Sequence, residues 1–147
     1  MKYENNSFVK KAIAGDLLAI GLALRIFSNP QRRYYDPALA KKLWLTLKSL
    51  SKMNPEAMCF LGEMYLYGSP YGRIPPKGIA LIELAAKNES TNAIINIATW
   101  YMFGLCGYPK DSTRALQMIE NDNSERATSM RKLFLEYSEA PIHRTHK

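Results

Sequence analysis

Ala57-Met58-Cys59-Phe60-Leu61-Gly62-Glu63-Met64-Tyr65-Leu66-Tyr67-Gly68 is matched further along the chain by Ala93-Ile94-Ile95-Asn96-Ile97-Ala98-Thr99-Trp100-Tyr101-Met102-Phe103-Gly104. The offset is 36 residues throughout. Small, apolar, aromatic and glycine positions coincide, with Ala57 falling on Ala93, Gly62 on Ala98, Tyr65 on Tyr101 and Gly68 on Gly104. A third copy lies upstream as Ala19-Ile20-Gly21-Leu22-Ala23-Leu24-Arg25-Ile26-Phe27-Ser28-Asn29, offset by 38 from Ala57. It lacks the closing glycine; Asn29 is expected to end the helix there in the left-handed conformation that Asn tolerates. Self-similarity at this period is the mark of a repeat architecture.

Each copy is followed by a turn and a second apolar helix. After Gly104, Asp111 is placed to cap a helix whose Ala115, Met118 and Ile119 form the i, i+3, i+4 stripe of a core-facing surface. After Asn29, Asp36 is the cap and Pro37 takes the first helical position, where its missing donor is harmless. Ala40, Leu43 and Trp44 then stand where Ala115, Met118 and Ile119 stand. The middle copy begins its second helix at Pro75-Pro76-Lys77-Gly78 and continues with Ile82, Ala85 and Ala86.

Working outward, Lys11 to Asp16 reads as the tail of a second helix, so the chain opens on a half repeat. Ala127, Met130, Phe134 and Leu135 carry the first-helix pattern in weaker form and predict a closing helix. Eight helices are expected, near 6–14, 16–28, 36–52, 55–67, 76–88, 90–103, 111–121 and 123–138, with no strand. No composition break divides the chain, so residues 1–138 read as one domain and 139–147 as a flexible tail. One helix pair cannot bury both faces, and stacking pairs makes a continuous core.

The 147 residues carry 20 Lys and Arg against 13 Asp and Glu, a formal charge of +7. That balance favours acidic partners, whether a protein face, nucleic acid or anionic lipid. The basic residues are spread along the chain in pairs such as Lys10-Lys11 and Arg32-Arg33 rather than along one stripe. Ala12 to Phe27 is apolar but is interrupted by Asp16 and Arg25, and no small-x-small cleavage site follows. No apolar run is long enough to span a bilayer. A cytoplasmic protein without a membrane partner is the expectation. Cys59 and Cys106 both sit in helical apolar patterns and are expected to be buried thiols.

Catalysis needs convergent titratable groups. The chain has no Gly-rich phosphate loop, nucleophile elbow or His-Glu-x-x-His helix. Its histidines, His143 and His146, stand near the C-terminal end with no third metal ligand beside them. No enzyme activity, cofactor or metal is expected.

The pattern Ala-x3-Leu-Gly-x-Met-Tyr-x2-Gly followed by Pro-Lys-Asp-x3-Ala resembles the Sel-one-like repeat (SLR), a relative of the tetratricopeptide repeat. Ala57, Leu61, Gly62, Met64, Tyr65 and Gly68 carry the resemblance in one copy, and Ala93, Ala98, Tyr101, Gly104, Pro109, Lys110, Asp111 and Ala115 in the next. The first copy departs from it, lacking glycine at position 30 and holding Arg32-Arg33-Tyr34-Tyr35 in its loop. The resemblance implies an all-α, right-handed α-α superhelix of about three helix-turn-helix repeats, used as a scaffold or adaptor. It also implies a bacterial protein-binding role, with some members similar to immunity proteins that neutralise a cognate toxin. A basic nucleic-acid-binding solenoid is the alternative.

Two surfaces are candidates for binding a partner. Trp44, Tyr65, Trp100, Tyr101 and Phe103 recur at repeat positions and read as core. Tyr34, Tyr35, Tyr71 and Tyr108 lie in loops beside Arg32, Arg33, Arg73 and Lys110, and Tyr and Arg are enriched at interface hot spots. The other surface is the first-helix face, which in superhelices of this type is concave. There Arg25, Glu63 and Thr99 share one register, and Leu22, Phe60 and Asn96 another.

Overall fold

A computed structural model describes residues 2–139 and is helical throughout. The helices are α1 (Ser7–Ile13), α2 (Leu17–Phe27), α3 (Pro37–Leu50), α4 (Pro55–Tyr67), α5 (Pro75–Lys87), α6 (Thr91–Phe103), α7 (Ser112–Ile119) and α8 (Glu125–Glu139). Among the described residues there is no strand, only an isolated bridge between Ser69 and Gly72. Each expected helix is present, with no end displaced by more than two residues. Glu139 closes α8 instead of opening a tail; residues 140–147, with His143 and His146, lie outside the described residues.

The helix starts follow from side-chain capping. Asp16 accepts from the Ala19 N–H at 2.9 Å, Asp36 from Leu39 at 3.0 Å and Asp111 from Arg114 at 2.9 Å. Each satisfies one of the donors that a helix N-terminus leaves without an internal partner. Asn54 caps α4 in the same way through Glu56 and Ala57. α5 has no side-chain cap and starts on Pro75 at its first position. Replacing Asp111 by Ala is expected to cost about 1 kcal/mol. Urea denaturation followed by circular dichroism measures this, and an unchanged midpoint would show that the Asp111 carboxylate does no capping.

The chain divides into two compact units, Met1–Ser90 and Thr91–Lys147. In the first, α1 packs on α2, α2 on α3, α3 on α4 and α4 on α5; in the second, α6 packs on α7 and both meet α8. This pairing of chain neighbours is what a helical repeat requires. The first core gathers Ile20, Leu24, Leu39, Leu43, Leu47, Leu61 and their neighbours, and the second gathers Ile95, Met102, Ile119 and Phe134.

The repeat is visible in hydrogen bonds as well as in residue types. The N–H of Asp36 donates to the Phe27 carbonyl at 2.9 Å, that of Ile74 to Tyr65 at 2.8 Å, and that of Asp111 to Tyr101 at 2.7 Å. In each copy the residue before the second helix is thus tied to an aromatic in the last turn of the first. Lys77 lies 4.5 Å over the Tyr65 ring and Arg114 lies 4.8 Å over the Tyr101 ring. Both cations stand three residues after the start of that hydrogen bond, so Tyr65 and Tyr101 occupy equivalent surroundings. Loops of unrelated sequence close on the same geometry.

Three expectations change. Asn29 does not enter the left-handed region; the described non-glycine residues that do are Glu89 and Cys106. α2 instead ends on Ser28, whose N–H and Oγ both donate to the Leu24 carbonyl, and Asn29 Oδ1 accepts from the Gln31 N–H at 2.9 Å. Cys106 is not in a helix. It lies half-buried in the loop between α6 and α7, at φ 54°, where Gly104 and Gly107 also have positive φ. Leu135, expected in the core, is 47% exposed, and α8 buries Ala127 and Phe134 instead. The α7 end is held from α8, where the Arg131 guanidinium donates to the carbonyls of Ile119 and Asp122.

Candidate partner-binding groove

α2 is apolar on nearly every face, from Leu17 to Phe27. A helix of that kind ordinarily lies fully buried. Here one face packs into the core through Ala19, Ile20, Ala23, Leu24 and Phe27, and the surplus faces solvent: Leu18 is 75% exposed and Leu22 42%. α4 lies alongside. Its Phe60 ring rests on Gly21, where a Cβ would sit 2.8 Å from the ring's Cζ. Glycine at 21 therefore leaves the space that the Phe60 ring fills.

Between the two helices runs a groove of about 340 Å³. Gly21, Phe60 and Met64 are joined there by Leu17, Leu18 and Leu22 from α2 and by Tyr67, 68% exposed, from α4. Arg25 and Glu63 are its charged members. The Cys59 thiol, buried, lies 3.7 Å from Glu63 Oε1 and donates to it. Past Arg25, Met64 and Gly68 the groove continues into a second recess of about 350 Å³, lined also by Leu24, Ser28, Asn29, Arg32, Ser69 and Pro70. One recess is apolar and the other polar. The helix C-termini and their loops make the difference.

Of the residues singled out in the sequence, Arg25, Glu63 and Arg32 are brought together along this groove. Arg33 lies 5.8 Å over the Tyr34 ring, and Tyr34 meets Tyr3 edge-on at 6.0 Å. Tyr35 and Tyr71 are near neighbours, both about half exposed. Tyr71 leans on Trp44 with ring centres 5.2 Å apart; burial, with Tyr35 adding to it, pushes its phenol above the ordinary tyrosine range.

The remaining candidates have structural attachments. Asn96 is buried at 9% exposure, and no buried side-chain polar atom among the described residues lacks a partner, so it is a satisfied core amide and not a surface position. Thr99 is half-buried and donates its hydroxyl to the Ile95 carbonyl at 2.8 Å. Arg73 Nε donates to the Leu66 carbonyl at 2.8 Å, holding its loop against the end of α4. Tyr108 folds back onto Trp100 and Tyr101, at 5.4 and 4.9 Å. Lys110 reaches the Tyr137 hydroxyl at 3.4 Å and lies 5.2 Å over its ring. These loops are bound to the scaffold by the same Arg and Tyr chemistry that can make a hot spot.

Sequence reasoning passed over Leu18 and Tyr67. The signal was present: α2 carries more apolar residues than one buried stripe needs.

Among the described residues no group of three or more His, Cys, Asp or Glu side chains could hold a metal ion, and no helix is long and apolar enough to cross a membrane. The Cys106 thiol is pushed up by burial, which disfavours the reactive thiolate. No protein-family model matches the chain, and no curated protein or solved structure matches it either.

Proposed function

We propose that this chain is a non-catalytic protein-binding module of the Sel-one-like repeat kind, and that its partner seats in the groove between α2 and α4. The observation that carries this reading is the uncovered apolar floor and wall of that groove, with Leu18, Leu22 and Tyr67 exposed along it. Exposed apolar surface of this kind, rimmed by charge, marks interaction sites. The turn bond repeated at Phe27, Tyr65 and Tyr101 supports the repeat family. In its finer form the proposal is a cytoplasmic bacterial immunity protein that neutralises a cognate toxin, or a small adaptor. The formal charge of +7 favours an acidic partner.

The test compares the full chain with its Leu22→Asp variant as bait, followed by calorimetry on the purified pair. Leu22 is already 42% exposed, so the variant should melt like the parent. A 1:1 complex that weakens by about 30-fold or more is expected, the loss typical of a hot spot. A complex indifferent to Leu22→Asp would remove the groove from the reading. A nucleic acid held with affinity falling steeply as salt rises would favour the alternative of a basic nucleic-acid binder. For the toxin form, the captured partner's toxic activity should disappear on equimolar mixing.

A further inference from the structure

The groove changes chemistry along its length. The α2–α4 stretch presents Leu18, Leu22, Phe60 and Tyr67, and its continuation presents the guanidinium groups of Arg25 and Arg32. Neither of those side chains makes a hydrogen bond, ion pair or ring contact with any described residue. The other polar side chains of the recess each make a hydrogen bond already. Ser28 Oγ donates to the Leu24 carbonyl, Ser69 Oγ to the Gly72 carbonyl at 2.8 Å, and Asn29 Oδ1 accepts from the Gln31 N–H. What the recess offers a ligand is positive charge and N–H donors.

We propose that the occupant is an acidic amphipathic segment of a protein partner, with its apolar side chains in the α2–α4 stretch and Asp or Glu side-chain carboxylates on Arg25 and Arg32. The proposal rests on the protein-binding reading above and supplies the partner's chemistry. A guanidinium presents a planar fork of donors that matches a carboxylate, and such charge-assisted bonds are stronger than neutral ones. Glu63 stands on the apolar stretch and repels a carboxylate placed there, so the acidic end of the segment is directed to the arginine end. Charge also selects among occupants. The chain's own segment 140–147 carries Arg144 and Lys147 and no acidic residue, and a second copy would bring +7 against +7. An acidic partner is attracted by the same charge.

The experiment uses random peptides displayed internally, with no free C-terminus, and a matched library displayed with a free one, each selected on the full chain. The internal library should return peptides rich in Leu, Ile or Phe followed by Asp or Glu. Synthesised singly, these should lose about 10- to 100-fold in affinity for the R25E/R32E double variant, the range for hydrogen bonds to charged groups. Peptides with Lys in place of the acidic residues should recover binding to that variant, which also demonstrates that it is folded. Peptides lacking acidic residues, sensitive to Leu22→Asp but not to R25E/R32E, would overturn this inference and leave the protein-binding reading standing. If no selected peptide responds to Leu22→Asp, both fail. Selection from the free-C-terminus library alone would assign the recess to a chain-end carboxylate and overturn the side-chain form. Labelled single-stranded RNA bound through Arg25 and Arg32, with no peptide selected, would overturn it in favour of nucleic acid.

Discussion

Phe134→Ala is expected to destabilise the Thr91–Lys147 unit by about 3–5 kcal/mol, the usual cost of emptying a buried phenylalanine site. Phe134 is fully buried and completes a core with Ile95, Ala98, Met102, Ala115, Ile119 and Ala127, meeting Phe103 edge-on at 6.1 Å. Without it, α8 retains Ala127 as its one fully buried side chain, beside the partly buried Met130. The loss should therefore be both global and local. Denaturant unfolding should show the lowered midpoint, and hydrogen exchange should show α8 amides losing protection first. Leu135→Ala, one residue away but 47% exposed, should change stability by less than about 0.5 kcal/mol. Equal effects from the two substitutions would mean that α8 is rotated relative to the packing described.

Gly78→Ala should be destabilising although it replaces glycine inside a helix. In an exposed helix interior that change is favourable by about 1 kcal/mol. Here a Cβ on Gly78 would sit 2.5 Å from the Gly62 carbonyl oxygen and 2.6 Å from the Leu66 nitrogen. These are backbone atoms, so no rotamer change relieves the overlap and α4 must move away from α5. Overpacking costs typically about 1–3 kcal/mol and occasionally more. Contact with unyielding backbone belongs at the upper end, leaving a net loss of about 2 kcal/mol after the helical gain. The melting midpoint of the Met1–Ser90 unit should fall by roughly 10 °C. A variant as stable as the parent would rule out the close crossing of α4 and α5.

These two sites mark how far the chain can be read unaided. Phe134 was legible because it recurs where Trp100 stands in the preceding first helix. Leu135 was misread as core because the weaker pattern of α8 leaves its rotation ambiguous by one residue. Gly62 was recognised as a small position and Gly78 as part of a helix start, but nothing in either stretch says that they face each other. The groove was half legible. The registers of Arg25 with Glu63 and of Leu22 with Phe60 pointed to the first-helix face, and α2 and α4 do carry those residues along one groove. Arg73, Tyr108 and Lys110 carry the composition of a binding loop, and their attachment to Leu66, Trp100, Tyr101 and Tyr137 depends on groups brought near by folding.

What the amino-acid order determines here is local: where helices start and stop, which residues share a face, and that the unit recurs about every three dozen positions. Capping bonds and apolar stripes act within one or two turns, so their signal survives in one dimension. Which apolar residues are covered was decided in three dimensions. Leu18 and Leu24 belong to one continuous apolar helix, yet one is 75% exposed and the other fully buried, because only one has a neighbouring helix placed over it. The uncovered face of α2, beside α4 and leading to two arginines whose side chains pair with no described residue, is a product of packing, and it is on that face that the proposed function rests.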